Sequence, residues 1–211
     1  MVFSDRTEAG KLLAKQLTKY RGQAVVFALP RGGVAVGAEV ANELQAPLDM
    51  ILVRKIGHPS WEEYAICAVA EGGDPVCNES ELVYIDKGWF ADAVQKAKTE
   101  IERRRREYFP RNYQPPSVAN KVAIIVDDGI ATGLTTMAAV EALRKRNPQK
   151  IVVAVPVAPA DTIEDLKEAV DEIIVLEDPR NFAGSVGAHY QVFPQLEDAD
   201  VIEFLKKTSN K

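Results

Sequence analysis

The chain has 211 residues, 46% hydrophobic and 27% charged, which suits a globular domain and excludes a disordered or fibrous protein. A net charge of −5 argues against general nucleic-acid binding. No apolar run approaches membrane-spanning length and the opening residues lack a signal-peptide core, so a cytoplasmic location is expected and no membrane partner.

In chain order, Phe3 to Tyr20 reads as an amphipathic helix capped by Ser4, with Ala9, Leu13, Leu17 and Tyr20 along one face. Ala24 to Leu29 is a short buried strand, broken by Pro30, Arg31, Gly32 and Gly33. Val34 to Gln45 is a helix and Leu48 to Val53 the next strand, which together make a βαβ unit. Residues 56–86 read as a loop leading into short antiparallel strands near 64–71 and 81–85. Cys67 and Cys77 lie here without CxxC spacing or a nearby histidine, and reduced structural thiols are expected. Lys87 to Phe109 is a long charged helix. Its run Arg103 to Arg106 is interleaved with Glu100, Glu102 and Glu107 at helical spacing, which favours a solvated or interface-forming face over a nucleic-acid site.

Residues 113–120 form a linker, followed by a strand over 121–126 and a helix from Gly133 to Arg146, stopped by Asn147 and Pro148. Ile151 to Val157 is a strand, Asp161 to Val170 a helix capped by Asp161, Ile173 to Leu176 the last parallel strand, and 199–207 a final helix. The alternation predicts an α/β fold with a mostly parallel central sheet flanked by helices. In such sheets ligands sit beyond the carboxyl ends of the strands. Residues 161–211 hold 12 acids against 5 Lys or Arg, so an anionic ligand must be drawn by local basic groups.

One run carries most of the chemistry. The apolar strand Val122 to Val126 empties into Asp127 and Asp128, then Gly129, Ile130, Ala131, Thr132, Gly133, Leu134, Thr135 and Thr136 lead into a helix. Free backbone N–H groups at a helix N-terminus, with hydroxyls from Thr132, Thr135 and Thr136, suit a phosphate. Two carboxylates beside a phosphate would repel it unless they served ribose hydroxyls and a divalent cation. The run therefore points to a ligand that is both sugar and phosphate. No Gly-Lys-Ser/Thr is present at this loop, so a Walker A site is not supported.

The run resembles the 5-phosphoribosyl-1-pyrophosphate (PRPP) motif of type I phosphoribosyltransferases. The opening Phe3, Asp5, Arg6, Ala9 and Gly10, the Leu29 to Gly33 turn, the Arg54-Lys55-Ile56-Gly57 stretch and the acidic loop follow the order of a little-characterised phosphoribosyltransferase-like group, over nearly the whole chain. The resemblance implies one domain over 1–211, with a flap or hairpin insertion about 56–86, a basic helix about 87–109 and a C-terminal hood segment about 178–211. It implies transfer of the phosphoribosyl group from PRPP to a small nitrogenous base, with release of pyrophosphate, Mg2+ as cofactor and a homodimer. The alternative is a non-catalytic PRPP-binding regulator; Arg54 and Lys55 favour an enzyme.

Carried over residue by residue, Asp127 and Asp128 bind the ribose hydroxyls and reach Mg2+ through those hydroxyls and water. Ile130 to Thr135 wrap the 5′-phosphate, with Thr132 and Thr135 donating from their side chains, and Gly129 joins them among the PRPP-binding residues. Arg31, Gly32 and Gly33 bind pyrophosphate, with a non-proline cis peptide expected around Arg31-Gly32. Arg54 and Lys55 resemble the mobile basic flap of adenine phosphoribosyltransferases. Phe182 is placed against the base. Ala131 stands where hypoxanthine-guanine enzymes carry a third acid, and Val155-Pro156-Val157 lacks their lysine, which puts a 6-oxopurine acceptor in doubt. Glu62, Glu63, His58 and Glu71 are the candidates for an acid or base; His189 has no assigned role.

Overall fold

The computed structural model describes residues 1–209. Its centre is a five-stranded sheet of β1 (Ala24–Ala28), β2 (Leu48–Met50), β6 (Val122–Val126), β7 (Lys150–Val155) and β8 (Glu172–Val175). The order is β2-β1-β6-β7-β8, and every pairing is parallel. Residues of β1 and β6 are all buried, as expected when helices cover both faces of a parallel sheet. One face packs on α1 (Arg6–Gln16) and α2 (Gly32–Leu44) through Leu13, Leu17, Val36 and Val40. The other packs on α5 (Leu134–Arg144) through Ala138, Ala139 and Leu143. Side chains such as Ile124 and Ile125, with no exposed area, each contribute roughly 1.5–3 kcal/mol.

The chain leaves β1 for β2 on one side and later returns to β6 on the other. Between β1 and β6 the winding reverses, and the carboxyl ends of those two strands open a crevice.

A second sheet, β3 (Val53–His58), β4 (Trp61–Ala70) and β5 (Val76–Cys77), is antiparallel. It corrects four expectations. The strand expected through Val53 stops at Met50, and the apolar run bends through Ile51 and Leu52 into β3. The basic stretch expected as a loop is strand, paired Arg54 with Val69 and Lys55 with Ala68. Residues 81–85 are not a strand; α3 (Glu79–Leu82) ends there, and the third strand lies earlier. The cysteines are not free thiols. Cys67 faces Cys77 across β4 and β5, and the two are joined by a disulfide, because antiparallel register brings them together from ten residues apart.

Helix α4 (Lys87–Tyr108) packs on this second sheet, and α7 (Asp198–Ser209) packs on α2 and the α4–β2 edge. The expected hood over 178–211 therefore divides. Residues 178–194 cover the α1 side with Phe3, while α7 belongs to another face. Smaller corrections concern caps. Asp5, not Ser4, caps α1 by accepting from the Glu8 N–H at 2.8 Å, since the helix begins at Arg6. α6 (Ala160–Lys167) starts after Pro159, so Asp161 lies inside its first turn.

Candidate active site

The two loops at the reversal point are pressed together. The β1 strand runs out at Leu29, whose N–H donates to the Val126 carbonyl at 2.9 Å, so the next residues must pass directly over the end of β6. Gly32 and Gly33 make that passage possible. A Cβ on Gly32 would lie 1.9 Å from Asp128 Oδ2, and one on Gly33 2.8 Å from the Asp127 Cα. The cis peptide is present as Pro30-Arg31, one bond before the expected position.

Asp127 and Asp128 are each half-buried at the crevice. The Asp128 N–H donates to Asp127 Oδ1 at 2.8 Å. Burial, then the neighbouring Asp128 charge, pushes the Asp127 carboxyl well above the usual carboxylate range. Asp128 is held instead by a cation: Arg6 donates from Nε to its Oδ2 at 2.7 Å. The Tyr190 hydroxyl donates to the Asp128 carbonyl at 2.6 Å, and burial raises that phenol.

Past the acids, Gly129 lies under Val157 and Val186, which leave no room for a Cβ. Ile130 is buried and its N–H donates to the Val157 carbonyl at 2.9 Å. The Thr162 hydroxyl donates to the Ala131 carbonyl at 2.9 Å, so α6 steadies the loop from behind. Gly133 takes φ 74°, in the left-handed region, and ends the loop where α5 begins. Thr132 is exposed and Thr135 half-buried. Thr136 is 2% exposed, so its hydroxyl is not part of the loop surface expected from sequence.

Of the basic groups, Arg31 reaches away from the acids to Glu197 at 3.1 Å and Asp198 at 3.9 Å, at the start of α7. Asp198 also accepts from the Tyr108 hydroxyl at 2.5 Å. Arg54 and Lys55 are adjacent in a regular stretch of strand and so point to opposite faces. Arg54 lies on the α4 face, 4.0 Å from Glu100. Lys55 shares the face of Val53, which packs toward α5, and it is exposed. The expected cationic pair is thereby split.

The acid and base candidates are scattered. Glu62 and Glu63 are exposed on β4, and His58 Nδ1 accepts from the Ser60 N–H at the hairpin tip. Glu71, at the far end of β4, lies 3.5 Å from Arg105, and burial raises its carboxyl. Phe182 stacks on His189 with centroids 5.5 Å apart, and His189 Nε2 accepts from the Ala183 N–H, which gives that histidine a structural place. All four arginines of the basic run have carboxylate partners: Arg103 and Arg104 on Glu100, Arg105 on Asp49, Arg106 on Glu102. Among the described residues no group of three or more His, Cys, Asp or Glu is arranged to hold a metal ion. No helix among them is long and apolar enough to cross a membrane. Arg6, Tyr190 and Thr162, which fix the acidic loop, were missed as site residues from sequence; Arg6 was noticed only as part of the opening motif.

A parallel five-stranded sheet whose reversal point joins a glycine turn to an acidic, phosphate-type loop defines the type I phosphoribosyltransferase fold. The phosphoribosyl transferase domain family matches residues 6–191, and the chain belongs to that family. It is 40% identical over 98% of its length to a Mycobacterium tuberculosis H37Rv protein whose name carries a provisional phosphoribosyl transferase assignment. The chain spans about half the length of the curated relatives it matches, 47%. The crystal structure of TT1426 from Thermus thermophilus is similar, with TM-score 0.82 and 38% identity over 98% of this chain and 99% of that one. The Aquifex aeolicus protein AQ2163 shares the fold at 13% identity and TM-score 0.51, over 81% of this chain and 72% of that one.

Proposed function

We propose that this chain transfers the 5-phosphoribosyl group of PRPP to a nitrogenous base and releases pyrophosphate. The observation that carries the reading is the meeting of the Arg31 to Gly33 turn with Asp127 and Asp128 at the reversal point of the sheet. One loop offers its backbone at Arg31 and Gly32 to an anion, the other offers carboxylates to sugar hydroxyls, and the two touch. A ligand with pyrophosphate at C1 and phosphate at C5 of one ribose matches that spacing of chemistries.

In this reading the C1–oxygen bond to pyrophosphate breaks and a base nitrogen bonds to C1 from the opposite side. The sugar passes through an oxocarbenium-like state, as in glycoside cleavage. Asp127 and Asp128 orient the ribose through its hydroxyls, and Asp128, paired with Arg6, places negative charge near the cationic carbon. Backbone N–H groups from Ala131 to Thr135 hold the 5′-phosphate at the start of α5, while the Ile130 N–H stays on the Val157 carbonyl. Arg31 takes the departing pyrophosphate after leaving Glu197, and Lys55 adds charge from the β3 strand. Arg54, turned to Glu100, contributes less directly. Mg2+, when bound, would neutralise the pyrophosphate oxygens. Two adjacent carboxylates without a further protein ligand fit an ion that arrives with its phosphates and keeps several waters, reached by Asp127 and Asp128 through ribose hydroxyls. Ala131 and the lysine-free Val155 to Val157 stretch support an acceptor other than a standard 6-oxopurine, with Phe182 as the ring beside it.

The test is a screen of nucleobases with PRPP and Mg2+, reading pyrophosphate release. Release with at least one base supports the transferase. PRPP binding without release from any base would favour a regulator, and absence of PRPP binding would remove both.

A further inference from the structure

Arg6 sits where local physics does not favour it. It is the first residue of α1, in the turn where exposed N–H groups repel a cation. It is also 8% exposed, although arginine is ordinarily found at the surface. A buried guanidinium needs partners, and each one here leads to the same place. Nε donates to Asp128 Oδ2 at 2.7 Å. Nη1 donates to the Pro194 carbonyl at 2.8 Å. The planar group lies 3.7 Å above the Phe193 ring. Tyr190 stacks on the other end of this arrangement, 4.8 Å from Phe193, and its hydroxyl fixes the Asp128 carbonyl.

Asp128 is thus gripped at carboxylate and carbonyl by groups from α1 and the 190–194 segment. Its Oδ2 is committed to Arg6, and its rotation is further limited by Gly32, where there is no space for even a methyl group. With Oδ2 taken, Oδ1 is the oxygen left for a ligand. Arg6 itself is too enclosed to reach that ligand.

We propose that Arg6 is a positioning residue for the ribose: it fixes the rotamer of Asp128 so that one carboxylate oxygen is presented to a sugar hydroxyl. This rests on the phosphoribosyl reading above and adds a residue that acts through Asp128. The Phe193 plane and the Pro194 carbonyl hold the guanidinium flat. Lysine, with a point charge on a flexible stem, cannot reproduce that geometry.

The experiment is calorimetric titration of the full chain with two probes, ribose 5-phosphate and inorganic pyrophosphate with Mg2+. The variants are Arg6→Lys, Asp128→Asn and the double variant, each first checked for an unchanged circular dichroism spectrum. Arg6→Lys is expected to weaken ribose 5-phosphate by at least about tenfold. Pyrophosphate, held at the Arg31 turn, is expected to stay within about twofold. The double variant should bind ribose 5-phosphate no more weakly than Asp128→Asn alone, since the two residues act as one unit. Equal loss of both probes would make Arg6 a fold staple and overturn the proposal, as would additive losses in the double variant or unchanged binding in Arg6→Lys. Failure of the wild-type chain to bind ribose 5-phosphate or PRPP would instead strike the phosphoribosyl reading itself, and this inference with it.

Discussion

Gly32→Ala adds one methyl group at the most crowded point of the candidate site. The new carbon would sit 1.9 Å from Asp128 Oδ2, 2.5 Å from Cγ and 3.1 Å from Oδ1. Ordinary contact begins near 3.4 Å, so the carboxylate has to swing away. Arg6 holds that carboxylate at 2.7 Å and Tyr190 holds its backbone at 2.6 Å, so the swing breaks a charged hydrogen bond. Overpacking of this kind costs roughly 1–3 kcal/mol, and losing the charged hydrogen bond costs about 1.5–3 kcal/mol. Better helix propensity of alanine at the start of α2 offsets at most ~1 kcal/mol. The net loss is about 2 kcal/mol or more, which for a chain of this length lowers Tm by roughly 4–8 °C. Thermal melting reads the first effect and PRPP titration the second, where at least a tenfold weakening (about 1.4 kcal/mol) is expected. A Tm within about 1 °C of wild type together with unchanged PRPP affinity would refute the argument that Gly32 is fixed by contact with Asp128.

Three further outcomes follow from the geometry. Lys55→Ala should lower kcat more than PRPP affinity, while Arg54→Ala, on the opposite face beside Glu100, should change both less; equal effects in steady-state kinetics would mean that strand alternation does not separate their roles. Glu197→Gln should tighten pyrophosphate binding severalfold, about 0.5–1 kcal/mol, because Arg31 no longer has to leave the shorter of its two ion pairs; unchanged or weaker binding by calorimetry would count against competition for Arg31. Reduction of Cys67–Cys77, which closes a short loop, should cost about 2–4 kcal/mol and lower Tm; a thiol titration that finds free cysteines in the unreduced, denatured chain would contradict the link.

The parallel sheet was legible because its strands are short apolar runs closed by sharp signals. Pro30 and Gly32 end β1, and the two aspartates end β6. The acidic loop was legible because a strand, two acids and a glycine-threonine turn are contiguous. The second sheet was not. Met50 to Val53 is apolar throughout, with no glycine or proline to mark the bend into β3, and Arg54 and Lys55 mask the strand they belong to. β4 starts exposed at Trp61 and ends buried at Ala70, so it shows no even alternation. The cysteine pairing depends on the register between β4 and β5, which composition and spacing do not reveal. Arg6 is paired 122 residues away in sequence. Its one local sign was a cation in the first turn of a helix that also carries the Asp5 cap, a position where an acid is the favoured residue.

Asp127, Asp128 and the following loop form the PRPP site in the function proposed above. Calorimetric titration of PRPP with Mg2+ into the wild-type chain and Asp128→Asn tests it most directly. The wild type is expected to bind saturably at one site, and the variant to lose more than about tenfold, ~1.4 kcal/mol. No binding by the wild type, or equal binding by both, would contradict it.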